Sequence, residues 1–194
     1  MASLGSAVAL FEYSSIAAGI ESGDDMVKRA PLEVILAGTV HPGKYLVLVG
    51  GTVGDVEEAL AAAELRNGDH LLSSMFLPDP HPALVAGLGG TESRRHGESL
   101  GIIETESVAD VIRAADAGLK GATVDMLRIH LADGLGGKGY VLFAGTLTEV
   151  EVAVELASAR VEGVLVAQRV IARLHDEMGD NLAGDGRFAT RIEG

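Results

Sequence analysis

The chain has 194 residues, 47% of them hydrophobic and 22% charged, a composition that suits a folded domain with a real core. Its formal net charge of -13 argues against a nucleic-acid groove and against docking on an anionic membrane, since both need clustered Lys and Arg. It has no cysteine, which excludes disulfides, thiolate nucleophiles, zinc–thiolate sites and cysteine-held iron–sulfur clusters together.

Aromatic residues make up only 4%, so Ala, Val, Leu and Ile must build the core. No apolar run reaches the ~18 residues of a membrane span. The N-terminus lacks the basic segment of a signal peptide, and a cytoplasmic location is expected. In chain order, a strand is expected over Ala7–Tyr13, followed by a helix opened by Ser14 or Ser15. Two β-rich runs, "LEVILAGTV" and "YLVLVGG", flank a short Gly-containing loop and read as a hairpin. An Ala-rich helix is expected over Val53–Arg66, then a strand in "HLLSSMFLP" and a short helix.

The same order then recurs. A strand is expected over Ser99–Thr105 and a helix opened by Glu106 or Ser107. The runs "DMLRIHLAD" and "YVLFAGT" follow, joined by "GLGGKG". After them come a helix over Leu147–Val161, a strand in "GVLVAQRVI" and a short helix. The recurrence extends to residues. Glu12, Ser15, Ala17, Ile20, Asp24, Lys28 and Ala30 match Glu104, Ser107, Ala109, Ile112, Asp116, Lys120 and Ala122 at an offset of 92. Gly51, Thr52, Val56, Glu57, Ala59 and Ala63 match Gly145, Thr146, Val150, Glu151, Ala153 and Ala157 at an offset of 94, which also carries Lys44 onto Lys138 and His81 onto His175. The chain is one unit written twice. Each unit is β-α-β-β-α-β, so the expected fold class is α/β (α+β), two tandem ferredoxin-like domains. The expected boundaries are 1–88 for the first domain, 89–98 for a polar linker and 99–194 for the second, ending in a short loose tail.

The first hairpin loop, "GTVHPGKY" (Gly38–Tyr45), approaches a phosphate-binding P-loop. That site needs Ser or Thr after the lysine to hold magnesium, and a helix whose first amides face the phosphates. Here Tyr45 follows Lys44, a strand follows Tyr45, and Pro42 removes an amide. The second loop, "GLGGKGY", also lacks a following helix. Nucleotide-dependent catalysis is therefore a remote reading. Two like domains in one chain can instead lie side by side as neighbouring subunits of a ring would, and three chains would close a six-domain ring.

The sequence resembles the tandem-domain shell proteins of bacterial microcompartments over nearly its whole length. The pieces that carry the resemblance are "MVKRA" and "GLKGA", "GTVGDVEEA" and "GTLTEVEVA", and the tails "LPDPH" and "IARLH". The domain order is the non-permuted one. Among tandem members the chain looks most like the trimeric propanediol-compartment type, which binds an iron–sulfur cluster at its central pore. The resemblance implies a homotrimeric pseudohexagonal tile, not an enzyme, packed among other shell proteins of the same compartment and passing small polar metabolites through its pore. It places His41, Pro42 and Gly43 with Leu135, Gly136 and Gly137 at that pore. It places Lys28, Asp79, His81, Lys120, Arg173 and His175 at the tile edge. Where that type carries cluster cysteines this chain has Gly139 and His41, so no cofactor is expected. Asp79 stands where the second repeat has Arg173, so the edges should differ in charge.

Taken singly, these residues have plainer readings. Lys28 and Lys120 fit the C-terminal ends of helices. His81 and His175 have no second ligand one helical turn away. Glu57, Glu58, Glu149 and Glu151 fit solvated helix faces. No nucleophile is ordered beside a base. The rival reading from another class is a ferredoxin-like regulatory module that senses a small ligand at subunit interfaces.

Overall fold

The computed structural model of the chain describes residues 4–91 and 97–184; residues 92–96 of the expected linker and residues 185–194 of the expected tail lie outside them. The first unit comprises β1 (Ala7–Tyr13), α1 (Ile16–Arg29), β2 (Val34–Val40), β3 (Lys44–Gly51), α2 (Val53–Asn67), β4 (Leu71–Pro78) and α3 (Pro82–Leu88). The second comprises β5 (Ser99–Thr105), α4 (Val108–Gly121), β6 (Asp125–Leu131), β7 (Gly139–Gly145), α5 (Leu147–Ser158), β8 (Leu165–Ile171) and α6 (Asp176–Ala183). Both sheets are antiparallel, with strand orders β2-β3-β1-β4 and β6-β7-β5-β8, the split β-α-β arrangement expected from sequence.

Local chemistry explains the element ends. Ser15 and Ser107 cap α1 and α4 by accepting from the amides of Ala18 and Asp110. Thr52 and Thr146 do the same for α2 and α5 through Asp55 and Glu149. Each such cap is worth about 1 kcal/mol. α1 stops at Arg29, because Pro31 biases Ala30 away from the helical region. α5 stops at Ser158 rather than running on to Val161. There the Ser158 hydroxyl donates to the Glu155 carbonyl, and the Ala159 and Arg160 amides close the last turn.

β1 is buried along its whole length, because it has a strand on either side and packing on both faces. One face sends Ala7, Ala9, Phe11 and Tyr13 against Met26, Val56, Ala59 and Ala63 of α1 and α2. The other face sends Val8 and Leu10 into a cluster with Met75, Leu77 and Leu84. That cluster continues without a break into Val108, Ile112 and Leu119 of the second domain. The two domains therefore share a core, and the shared part is the junction where β4 and α3 lie along α4.

Candidate functional site

The junction is apolar in the middle and polar along α4. Leu77 and Leu84 are almost entirely buried, as are Val108 (0% exposed), Ile112 (0%) and Leu119 (5%). α3 approaches β6 so closely that a Cβ on Gly87 would lie 2.3 Å from Met126 Cε. At the first turn of α4, the fully buried Glu12 accepts from the Ala109 amide (2.9 Å) through one carboxylate oxygen. Its other oxygen accepts from Lys44 Nζ (3.3 Å). First-turn amides have no partner within their own helix, and the helix dipole favours an anion there. Burial pushes the Glu12 carboxyl above its ordinary value of 4.5, opposed by the Ala109 amide, Lys44 and the Val108 amide.

One turn on, Arg113 donates to the Ser74 carbonyl (2.8 Å) and to Asp110 (2.7 Å). Asp110 also accepts from the Ser107 hydroxyl and from the Glu162 and Gly163 amides. Further along, Asp116 accepts from the His81 amide (2.8 Å) and pairs with Lys120 (2.7 Å). Sequence reasoning missed Arg113 and Asp110 altogether. It matched Glu12 with Glu104 and Lys44 with Lys138 without seeing what they do. The available signal was a carboxylate within an apolar strand, repeated at a fixed offset along with its lysine.

The repeat-equivalent surfaces on the outer flanks have no cover among the described residues. On α1, Ile16 (42% exposed), Ile20 (54%) and Val27 (43%) stand where α4 has Val108, Ile112 and Leu119. On the flank of the second domain, Ile171 (40%) and Met178 (51%) stand where the first has Leu77 and Leu84. Glu104 pairs with Lys138 (2.9 Å), but both are partly exposed, whereas Glu12 is sealed in.

The hairpin loops lie side by side. The tip of the first exposes His41, Pro42 and Gly43; the Gly43 amide donates to the Val40 carbonyl, and its φ of 107° is one that glycine adopts freely. In the second, the Leu135 and Gly137 amides donate to the Ala132 carbonyl; Leu135 is half-buried, Gly136 exposed and Gly137 buried. A Cβ on Gly137 would lie 3.2 Å from Pro42 Cδ and 3.3 Å from Lys44 Nζ, so the two loops touch. Tyr45 packs its ring on α1: a Cβ on Gly19 would lie 2.5 Å from Tyr45 Cδ1. The second repeat swaps the sizes. Val111 replaces Gly19 and Gly139 replaces Tyr45, and a Cβ on Gly139 would lie 2.4 Å from Val111 Cγ1.

That swap bears on the iron–sulfur cluster of the propanediol-compartment type. The chain has no cysteine, and Val111 fills the space a side chain at 139 would need. Among the described residues there is no group of three potential metal ligands. The residues do not fit the cluster.

The residues expected at a tile edge fall into two sets. Lys28 is exposed and pairs with Asp24; Asp79 and Arg173 are exposed, and both sit at φ 53° in equivalent turns after β4 and β8. His81 is half-buried, and its Nδ1 accepts from the Ala83 amide, capping α3 (3.2 Å). His175 holds the same place before α6, exposed and without a side-chain cap. In the chain, His81 thus sits beside Asp116 and Lys120, at the junction, while Lys28, Arg173 and His175 lie on the uncovered flanks.

Two stretches, residues 7–80 and 99–174, match the family model described as the BMC domain. The chain belongs to the BMC-domain family of microcompartment shell proteins. It is 40% identical over 174 residues to the bacterial microcompartment shell protein PduT of Citrobacter freundii, a match spanning 89% of this chain and 95% of that one. It is 30% identical over 182 residues to the carboxysome assembly protein CcmO of Synechococcus elongatus, spanning 87% of this chain and 65% of that one. A microcompartments protein from Desulfitobacterium hafniense superposes with a TM-score of 0.75 at 37% identity, covering 89% of this chain and 97% of that one. Among the described residues of this BMC-domain chain, no helix is long and apolar enough to cross a membrane.

Proposed function

We propose that the chain is a non-enzymatic tile of a microcompartment shell in the bacterial cytoplasm: a homotrimer whose six domains form a pseudohexagonal ring around a central pore. The observation that carries this reading is the unequal burial of equivalent helix faces. Val108, Ile112 and Leu119 are sealed by the first domain, while Ile16, Ile20 and Val27 stand open. The open α1 face and the open β8–α6 flank differ from each other, so they make a head-to-tail contact, and such contacts close into a ring when the rotation allows. A second domain that covers the α1 face of the next chain, as the first covers α4 within the chain, repeats one step around an axis.

The touching hairpins would then alternate around that axis, with His41, Pro42 and Gly43 from one loop and Leu135, Gly136 and Gly137 from the other. Asp133 is the carboxylate nearest the tip of either loop in sequence. Backbone amides exposed at such turns favour small polar or anionic metabolites over cations. At the rim, Lys28 and Lys120, with Asp79, His81, Arg173 and His175, meet neighbouring tiles and other shell proteins. Three edges present Lys28 with Arg173, and three present Lys120 with Asp79.

Sedimentation equilibrium should return three chain masses of 20.0 kDa, and electron microscopy should show hexagonal layers. A stable single chain with no layers would overturn the proposal.

A further inference from the structure

In the trimer proposed above, the contact between chains would repeat the in-chain junction with different polar groups. At the in-chain junction Glu12 caps the first turn of α4 through the Ala109 amide, and Arg113 clamps the Ser74 carbonyl. At an offset of 92, Glu12 maps to Glu104, Ala109 to Ala17 and Arg113 to Glu21. The Arg113 clamp therefore has no counterpart, whereas the carboxylate cap has one in full. Glu104 is already steadied by Lys138 through one oxygen (2.9 Å), as Glu12 is by Lys44, which leaves its other oxygen for a second donor. Ser15 takes the Ala18 amide, as Ser107 takes that of Asp110. In both helices the amide just before the capped one is the one set for a carboxylate.

We propose that Glu104 of one chain caps α1 of the next by accepting from its Ala17 amide, and that this bond is the main polar determinant of chain-to-chain assembly. The inference rests on the trimeric reading above and adds the residue pair that holds it. The partner is a second copy of this chain. Its α1 is 14 residues long and presents an open first turn, with the apolar Ile16 and Ile20 beside it. The in-chain cap at Glu12 is the independent observation that this pairing forms.

The test is a dilution series of the full chain by sedimentation velocity, with circular dichroism to verify folding. Glu104→Ala should raise the concentration at which half the trimer dissociates by about tenfold or more, the scale of a hydrogen bond to a charged group. Glu104→Gln keeps the acceptor and should lie between Ala and wild type. Glu104→Lys sets a cation against the helix N-terminus and should give single chains. Glu57→Lys, the same charge change on an exposed face of α2, should leave the trimer unmoved. If wild type is trimeric and Glu104→Ala, folded, assembles as tightly, Glu104 serves only Lys138 and the inference is overturned while the trimer stands. If wild type and Glu57→Lys are both single chains at every concentration, the trimeric reading itself has failed and this inference falls with it.

Discussion

Ile20 and Ile112 hold the same helix position in the two repeats, so one truncation should act on assembly in the first and on folding in the second. Ile20 is 54% exposed and Ile112 is 0% exposed. If the next chain covers Ile20 as the first domain covers Ile112, about half of its surface leaves water on assembly. Full burial of an isoleucine is worth about 1.5–3 kcal/mol, so each contact between chains gains about 1 kcal/mol from this side chain. A closed ring gains about 3 kcal/mol, or roughly 100-fold in the trimerisation constant. Ile20→Ala should remove most of that and leave the denaturation midpoint of the dissociated chain nearly unchanged. Ile112→Ala opens a hole in the shared core and should cost about 2–5 kcal/mol of folding stability. A dilution series by sedimentation velocity, paired with urea unfolding below the dissociation concentration, separates the two. Equal loss of folding stability in both variants, or unaltered assembly by Ile20→Ala, would refute the reasoning.

Glu12→Gln tests the buried carboxylate through pH. Burial raises the Glu12 pKa above 4.5, so the folded state holds its proton more tightly than the unfolded state, and that stabilisation is full below 4.5 and lost as pH rises through the raised value. Wild type should therefore lose melting temperature relative to Glu12→Gln as pH climbs from about 4 towards neutrality; parallel curves would count against it. Gly139→Ala should cost about 1–3 kcal/mol, because its Cβ meets Val111, and adding Val111→Gly should recover part of the loss by copying Gly19 opposite Tyr45. Full stability of the single variant in urea unfolding would show that Val111 moves aside freely. Lys28→Gln should leave the trimer folded to within about 1 kcal/mol, since its exposed pair with Asp24 contributes little, whereas Lys120→Gln also takes the partner from the buried Asp116 and should cost more. Variants that stay trimeric should still form fewer hexagonal layers in electron micrographs. Undiminished layers would take both lysines off the edge.

The elements were legible because their signals are local. β1 and β5 run as expected, from Ala7 to Tyr13 and from Ser99 to Thr105, and Ser15 and Ser107 open the helices that follow. The end of α5 was not legible, because its last turn closes on carbonyls that a propensity pattern does not weigh. The junction was legible only in outline. The repeat told that two like surfaces exist, but Glu12 reaches an amide 97 residues away, and no local pattern reports that partner. Arg113 and Asp110 have no equals in the first repeat, so matching the repeats passed over them. The touching hairpins were foreseen as loops of one kind; the exchange of Gly19–Tyr45 for Val111–Gly139 needed the packing.

A cryo-electron microscopy reconstruction of the purified chain is the most direct measure of the central claim. The account predicts a threefold particle in which His41 and Leu135 alternate around the axis and the second domain of each chain lies on α1 of the next. A particle of one chain, or a ring with both loops at its outer rim and Ile20 in solvent, would contradict it.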